Sequence, residues 1–174
     1  MNAAIIGSGL QAHRRGRAIL SSKKANLAGI FSDNKETAYS LSNNLGCRTF
    51  DSTDQLMDMR EVEVVIVCTP PDSHYQYAKM ALAANKHVLV EKPFTQNSKQ
   101  SDLLLEIARN SETILRCGFN HRFHPSLLEL KKKIEDGVFG KIKYSRSLYG
   151  MGLRENYHNE WRANPRIAAG GQFM

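Results

Sequence analysis

Six short apolar runs punctuate the first 119 residues, each of strand length, and all but the last lead into a segment whose apolar positions recur at helical spacing. The runs cover residues 3–6, 26–31, 47–50, 62–68, 87–90 and 113–119, and the helical segments cover 10–22, 35–45, 53–59, 73–84 and 98–109. The run VEVVIVC at 62–68 is apolar and β-branched at nearly every position, as in a central strand covered on both faces. Thr69-Pro70-Pro71 ends it, because proline cannot donate to a central ladder. Gly46 closes the helix at 35–45. Asp51 or Ser52 is placed to cap 53–59, and Asp72 or Ser73 to cap 73–84. Leu103, Leu104, Ile107 and Ala108 share one side of the helix at 98–109. Strand and helix alternate without hairpin signals, which predicts an α/β domain on a doubly wound parallel sheet. Ligands of such sheets sit at the carboxyl ends of the strands. Gly9, Ser32, Thr69 and Lys92 all fall at such ends, so the pattern predicts that they meet at one site.

The pattern changes after Phe119. Pro125 opens a helix through Ile134, and Gly137 and Gly140 stop it. Residues 141–149, KIKYSRSLY, alternate like a strand, with Ile142 and Tyr144 on one side. One helix and one strand cannot close a core. Residues 120–174 are therefore expected to be the incomplete start of a second domain, after a first domain spanning 1–119.

The first strand runs straight into Gly7-Ser8-Gly9 and then a helix, with Ala12 three residues further on. That arrangement suits a pyrophosphate. One glycine makes the sharp turn, a second lets backbone approach the phosphates, and a small third residue lets helix and strand lie close. The opening helix turn presents N–H groups and a positive dipole end to the anion.

Composition narrows the class. Hydrophobic residues are 41% and charged residues 24% of the 174, a globular balance. No apolar run approaches ~20 residues, so no membrane span is expected, and no signal peptide is visible. Cys47, Cys68 and Cys117 are odd in number and widely spaced, which fits buried reduced thiols and a cytoplasmic location better than disulfides or zinc. The net charge of +7 is uneven: residues 1–118 carry 14 Lys/Arg against 12 Asp/Glu, and 119–174 carry 10 against 5. The Lys131-Lys132-Lys133 run lacks interleaved aromatics for stacking bases and reads as a solvated helix face, so no nucleic-acid partner is expected. His121 and His124 lack a carboxylate or cysteine at ligand spacing, so no metal is expected either. On the residues alone, His74 reads equally as a helix-end surface residue or a ligand contact, and Trp161 reads as core packing.

The segments AIIGSGLQA, CTPPDSHYQYA, HVLVEKP, GFNHRFHP and EWRANPRIAAGG together resemble the Gfo/Idh/MocA oxidoreductases, with Glu91-Lys92-Pro93 after a buried strand as the most specific mark. The resemblance implies a Rossmann domain binding NAD or NADP, followed by the beginning of an α+β open-sheet domain that mediates homo-oligomerisation. It implies hydride transfer between the nicotinamide and a secondary alcohol or ketone of a sugar, inositol or related polyol. Two other readings stay open: a glycosidase of the same superfamily using bound NAD, and a non-catalytic nucleotide-binding regulator.

By the same resemblance Gly7, Ser8, Gly9 and Leu10 would hold the pyrophosphate, and Ala12 completes the cofactor-binding turn where the family tolerates Gly or Ala. Cys68, Thr69, Pro70, His74 and Glu91 would line the cofactor, with Trp161 and Arg162 reaching toward it. Lys92 would be catalytic and touch both cofactor and substrate, hydrogen-bonding the reacting oxygen and helping to move its proton. Asn120 and Arg122 would border the substrate. Two departures stand out. Ser32 occupies the place that usually carries the ribose-binding carboxylate, with Asp33 one position on. A serine leaves room for a 2′-phosphate that Arg14, Arg15 or Lys35 could face, so NADP is slightly favoured. An Asp-x-Gly-x-His-x-x-Asp motif would follow Gly170-Gly171, supplying a histidine that partners the lysine, but the sequence stops at Met174. The chain is accordingly expected to be a truncated frame that binds dinucleotide while turning over poorly.

Overall fold

The strand Asn2–Ile6 (β1) lies at the middle of a six-stranded sheet and sets its geometry. The structure, a computed structural model, describes residues 1–148, 150 and 155–169. The other strands are Asn26–Phe31 (β2), Arg48–Thr49 (β3), Val64–Val67 (β4), His87–Val90 (β5) and Leu115–Cys117 (β6). All pair in parallel, in the order β3-β2-β1-β4-β5-β6, so the winding reverses between β1 and β4. The sheet is the doubly wound Rossmann-like one that the alternating pattern predicts.

Alternate residues along each strand feed two cores. Ala4, Ile6, Val65, Val67, Val88 and Val90 point to one, and Ala3, Ile5, Ile30, Ile66 and Cys68 to the other. With both faces covered, an apolar residue is needed at every step, which is why these strands read as unbroken hydrophobic runs.

The helices are Leu10–Leu20 (α1), Lys35–Leu45 (α2), Thr53–Asp58 (α3), Pro71–Ala83 (α4) and Ser98–Arg109 (α5). Gly46 ends α2 at φ +65°, and Ser52 caps α3 by accepting from the Gln55 N–H. α4 begins two residues before the expected 73: Pro70 is its N-cap and Pro71, with φ preset and no N–H to satisfy, its first residue. Asp72 and Ser73 therefore lie inside the first turn and do not cap it. On α5 only Leu104 is fully buried; Ile107 and Ala108 pack against the same core, while Leu103, at the stripe's edge, stays 39% exposed. The short helix Pro165–Ala168 and the turn Trp161–Ala163 belong to this same unit, where Gln96 Nε2 donates to the Arg166 carbonyl.

Residues Phe119–Glu160 form a separate unit. It holds a 3-10 turn at Asn120–Phe123 and the helix Pro125–Glu135 (α6). Lys131 and Lys133 pair with Glu135 and Glu129 four residues away, so that part of the lysine run is a solvated helix face. None of the described residues of this unit is buried. The strand expected at 141–149 is not formed over 141–148: Ile142 and Tyr144 are 50% and 86% exposed. Alternation alone does not make a strand; a ladder partner must be present, and none is among the described residues. Tyr149, residues 151–154 and the Gly170-Gly171 segment lie outside the described residues. No helix among the described residues is long and apolar enough to cross a membrane.

Candidate functional site

Where β1 gives way to α1 the chain must turn within three residues. Gly7 makes the turn at φ +108°, and a Cβ there would lie 2.8 Å from both the carbonyl carbon and oxygen of Cys68. Only glycine fits. Its N–H donates to the Phe31 carbonyl at 2.7 Å, tying the turn to β2. Gly9 is different: it caps α1 with extended backbone, and a Cβ there would meet no protein atom within 4 Å. Neither a side chain from the cap nor an acidic residue in the first turn satisfies the start of α1. That helix end is open, positive and backed by glycine, as an anion site requires.

Around this end lies a cleft of about 310 Å³, at the lower end of small-molecule pockets, ~300–1,000 Å³. Gly7, Ser8, Gly9 and Leu10 line it at the β1–α1 turn, Ser32 and Asp33 after β2, Cys68, Thr69 and Pro70 after β4, and Glu91 and Lys92 after β5. Trp161 and Arg162 complete it, the guanidinium lying 4.3 Å from the indole centroid. The residues predicted from the strand ends thus come together. Gln11, Pro71 and Ser73 line the cleft as well and were missed; the early start of α4 on its two prolines is the signal for the last two.

Several predicted residues lie elsewhere. Ala12, on the inner face of α1, is fully buried in the core with Ile5 and Ile30, so it sets helix–strand spacing as the small third residue should and does not line the cleft. His74 is 1% exposed; its ring nitrogens lie 2.8 Å from the Thr69 carbonyl oxygen and 2.7 Å from that of Pro93. It is neither a surface residue nor a cleft wall, but a clasp between the turns that carry Thr69 and Lys92. Asn120 and Arg122 are exposed on the 3-10 turn of the second unit.

The polar groups are mutually arranged. Ser8 Oγ lies 3.0 Å from Ser32 Oγ and 2.6 Å from Thr37 Oγ1, a trio of hydroxyls between the turn and the start of α2. Lys92 is exposed at the cleft, and its bond to Pro93 is cis. Arg15 does not stand ready for a 2′-phosphate as the sequence suggested. Its Nε donates to Glu91 Oε1 at 2.7 Å and its Nη2 pairs with the same oxygen. Burial pushes the Cys68 thiol up to about 12, the Glu91 charge adding to this and Arg15 opposing it, so Cys68 stays a neutral wall and no nucleophile.

A family model described as an oxidoreductase family with an NAD-binding Rossmann fold, GFO_IDH_MocA, matches residues 1–119. UDP-N-acetylglucosamine 3-dehydrogenase of Acidithiobacillus ferrooxidans is 36% identical over 118 residues, which is 68% of this chain and 36% of that protein. A solved structure of that enzyme matches with a TM-score of 0.71 at 32% identity, covering 76% of this chain and 42% of the other. Glucose-6-phosphate 3-dehydrogenase of Bacillus subtilis is 31% identical over 138 residues, 79% of this chain and 39% of its own length. An NAD-binding protein from Listeria innocua shares the fold, with a TM-score of 0.83 at 24% identity over 98% of this chain and 49% of that one. The chain thus spans well under half the length of the two curated relatives named.

Proposed function

We infer the function of this chain from its family and its cleft: it belongs to the Gfo/Idh/MocA oxidoreductases, and residues 1–119 are their NAD(P)-binding Rossmann domain. The proposed reaction is hydride transfer between the nicotinamide and a secondary alcohol or ketone of a sugar, inositol or related polyol. One observation carries it: the open N-terminus of α1 and the exposed Lys92 line the same cleft.

The cleft fits a dinucleotide. Gly9 lines the cleft, the space where its Cβ would project is open, and it offers no side chain to cap the helix N–H groups beside it. When bound, the nicotinamide supplies the hydride chemistry. The chain supplies position and a proton path. In this reading the backbone of Gly7, Ser8, Gly9 and Leu10 binds the diphosphate. Thr69, Pro70, Trp161 and Arg162 form walls, and the Lys92 ammonium hydrogen-bonds the substrate oxygen and moves its proton. Glu91, clamped by Arg15, and His74, clasping Thr69 to Pro93, stiffen the base from which Lys92 projects. Asn120 and Arg122 are proposed to border the substrate. Ser32 in place of a carboxylate leaves room for a 2′-phosphate, with Lys35 exposed three residues on and Arg14 exposed on α1, so NADP is proposed to be accepted at least as well as NAD.

The test replaces Lys92 by Met in the purified protein, with each nucleotide offered against a panel of polyols and ketoses. Nucleotide affinity should change less than about threefold while turnover falls by about 10²–10⁴-fold, the usual range for a proton-transferring group. Lys92→Arg should not restore it, because a planar guanidinium is no substitute for a compact ammonium. Unchanged turnover in Lys92→Met contradicts the proposal. Nucleotide that stays bound and is never consumed would point to the glycosidase reading instead.

A further inference from the structure

Asp33 lies two residues past the end of β2, and its carboxylate is held in place. Its Oδ2 accepts a hydrogen bond from the Tyr77 hydroxyl at 2.9 Å, across 44 residues. Tyr77 sits in the second turn of α4, half-buried against the core, with its ring edge-on to Phe31 at a 6.4 Å centroid separation. Burial first, then the hydrogen bond and charge of Asp33 and the charge of Asp72, push the phenol up to about 12, so it remains a donor at working pH. Tyr77 does not line the cleft; Ser32 and Asp33 do.

The two residues after β2 thus have separate allegiances. Ser32 is knit into the hydroxyl trio with Ser8 and Thr37, and Asp33 is tied to α4. A carboxylate able to reach an adenosine ribose accepts from its 2′-hydroxyl and repels a 2′-phosphate. Hydroxyls tolerate either group, because each can donate or accept. The selectivity of the site then depends on where the Asp33 carboxylate is held.

We propose that Tyr77 is a specificity-determining residue, which acts by holding the Asp33 carboxylate against α4 and leaving the hydroxyl trio to meet the cofactor's 2′ position. The proposal rests on the dinucleotide reading of the cleft, and its action is indirect: Tyr77 positions Asp33 and touches no ligand. Affinities of NADH and NADPH measured by fluorescence on the purified chain test it. Tyr77→Phe should raise the ratio Kd(NADPH)/Kd(NADH) by about tenfold, equivalent to ~1.4 kcal/mol, as the released carboxylate turns to the ribose. A merely structural role would weaken both nucleotides together and leave the ratio alone. Asp33→Asn by itself should move the ratio by less than about threefold, and added to Tyr77→Phe it should cancel the shift. An unchanged ratio in Tyr77→Phe, or a shift that survives Asp33→Asn, overturns the proposal. A tenfold swing toward NADPH in Asp33→Asn alone also overturns it, since the carboxylate would then already be on the ribose, and this variant serves if Tyr77→Phe does not fold. Wild-type protein that binds neither nucleotide brings down the dinucleotide reading itself.

Discussion

Removing Arg15 tests how the base of the cleft is built. Its guanidinium reaches from α1 to Glu91 at the end of β5, across 76 residues, and the two side chains are 23% and 6% exposed. Gly118 closes the pair from the β6 side: a Cβ there would lie 3.2 Å from Arg15 Nη2 and from Glu91 Oε1. With Arg15→Met the Glu91 carboxylate is left in a place water barely reaches. Stripping one partner from a buried pair typically costs about 3–5 kcal/mol, most of it the penalty of the stranded charge. The whole stability of a domain this size is about 5–15 kcal/mol, so the loss is large. Arg15→Met with Glu91→Leu removes the charge together with its partner, and should recover most of that loss. Urea unfolding followed by circular dichroism reads the change as a shift in midpoint at constant slope. If Arg15→Met destabilises by less than about 1 kcal/mol, or the double variant is no better than the single, the pair does not hold the site together.

The two glycines of the first turn should separate folding from binding. Gly7→Ala forces a Cβ to 2.8 Å from the Cys68 carbonyl at a φ that alanine rarely adopts, and should destabilise by roughly 1–3 kcal/mol or more, read by thermal melt. Gly9→Val, whose side chain projects toward open space at the start of a helix, should change stability by less than about 1 kcal/mol yet weaken nucleotide binding at least tenfold. The buried Cys68 thiol predicts an alkaline limit. Its pKa is raised from 9.0 to about 12 in the fold, so the neutral thiol's contribution is fully present below pH 9 and is lost as pH rises toward 12. Cys68→Ala should flatten that fall in calorimetric melts between pH 8 and about 11, and an unchanged slope would place the loss elsewhere.

The sequence revealed what neighbouring residues determine. The bounds of β2, α2, β5 and α5 follow from runs, caps and Gly46, because burial on both faces leaves an unbroken apolar signal and αL geometry selects glycine. The cleft residues at the strand ends were legible for the same reason, since parallel winding puts every strand's carboxyl end on one edge. Contacts between distant segments were not. Arg15 with Glu91, Tyr77 with Asp33, and His74 between two backbone carbonyls each depend on which side chains the finished sheet brings together. Ala12 was legible as the small residue that lets helix and strand lie close, because that spacing is local to the turn. The alternation at 141–149 was a local preference, and pairing decides whether such a preference becomes a strand.

Trp161, the single tryptophan of the chain, lines the cleft and can report directly on what enters it. Titration with NADH and NADPH should quench Trp161 emission saturably, with sensitised nicotinamide fluorescence appearing in step. The Gly9→Val variant should lose both signals. Absence of saturable quenching by either nucleotide up to millimolar concentration would contradict the account at its centre.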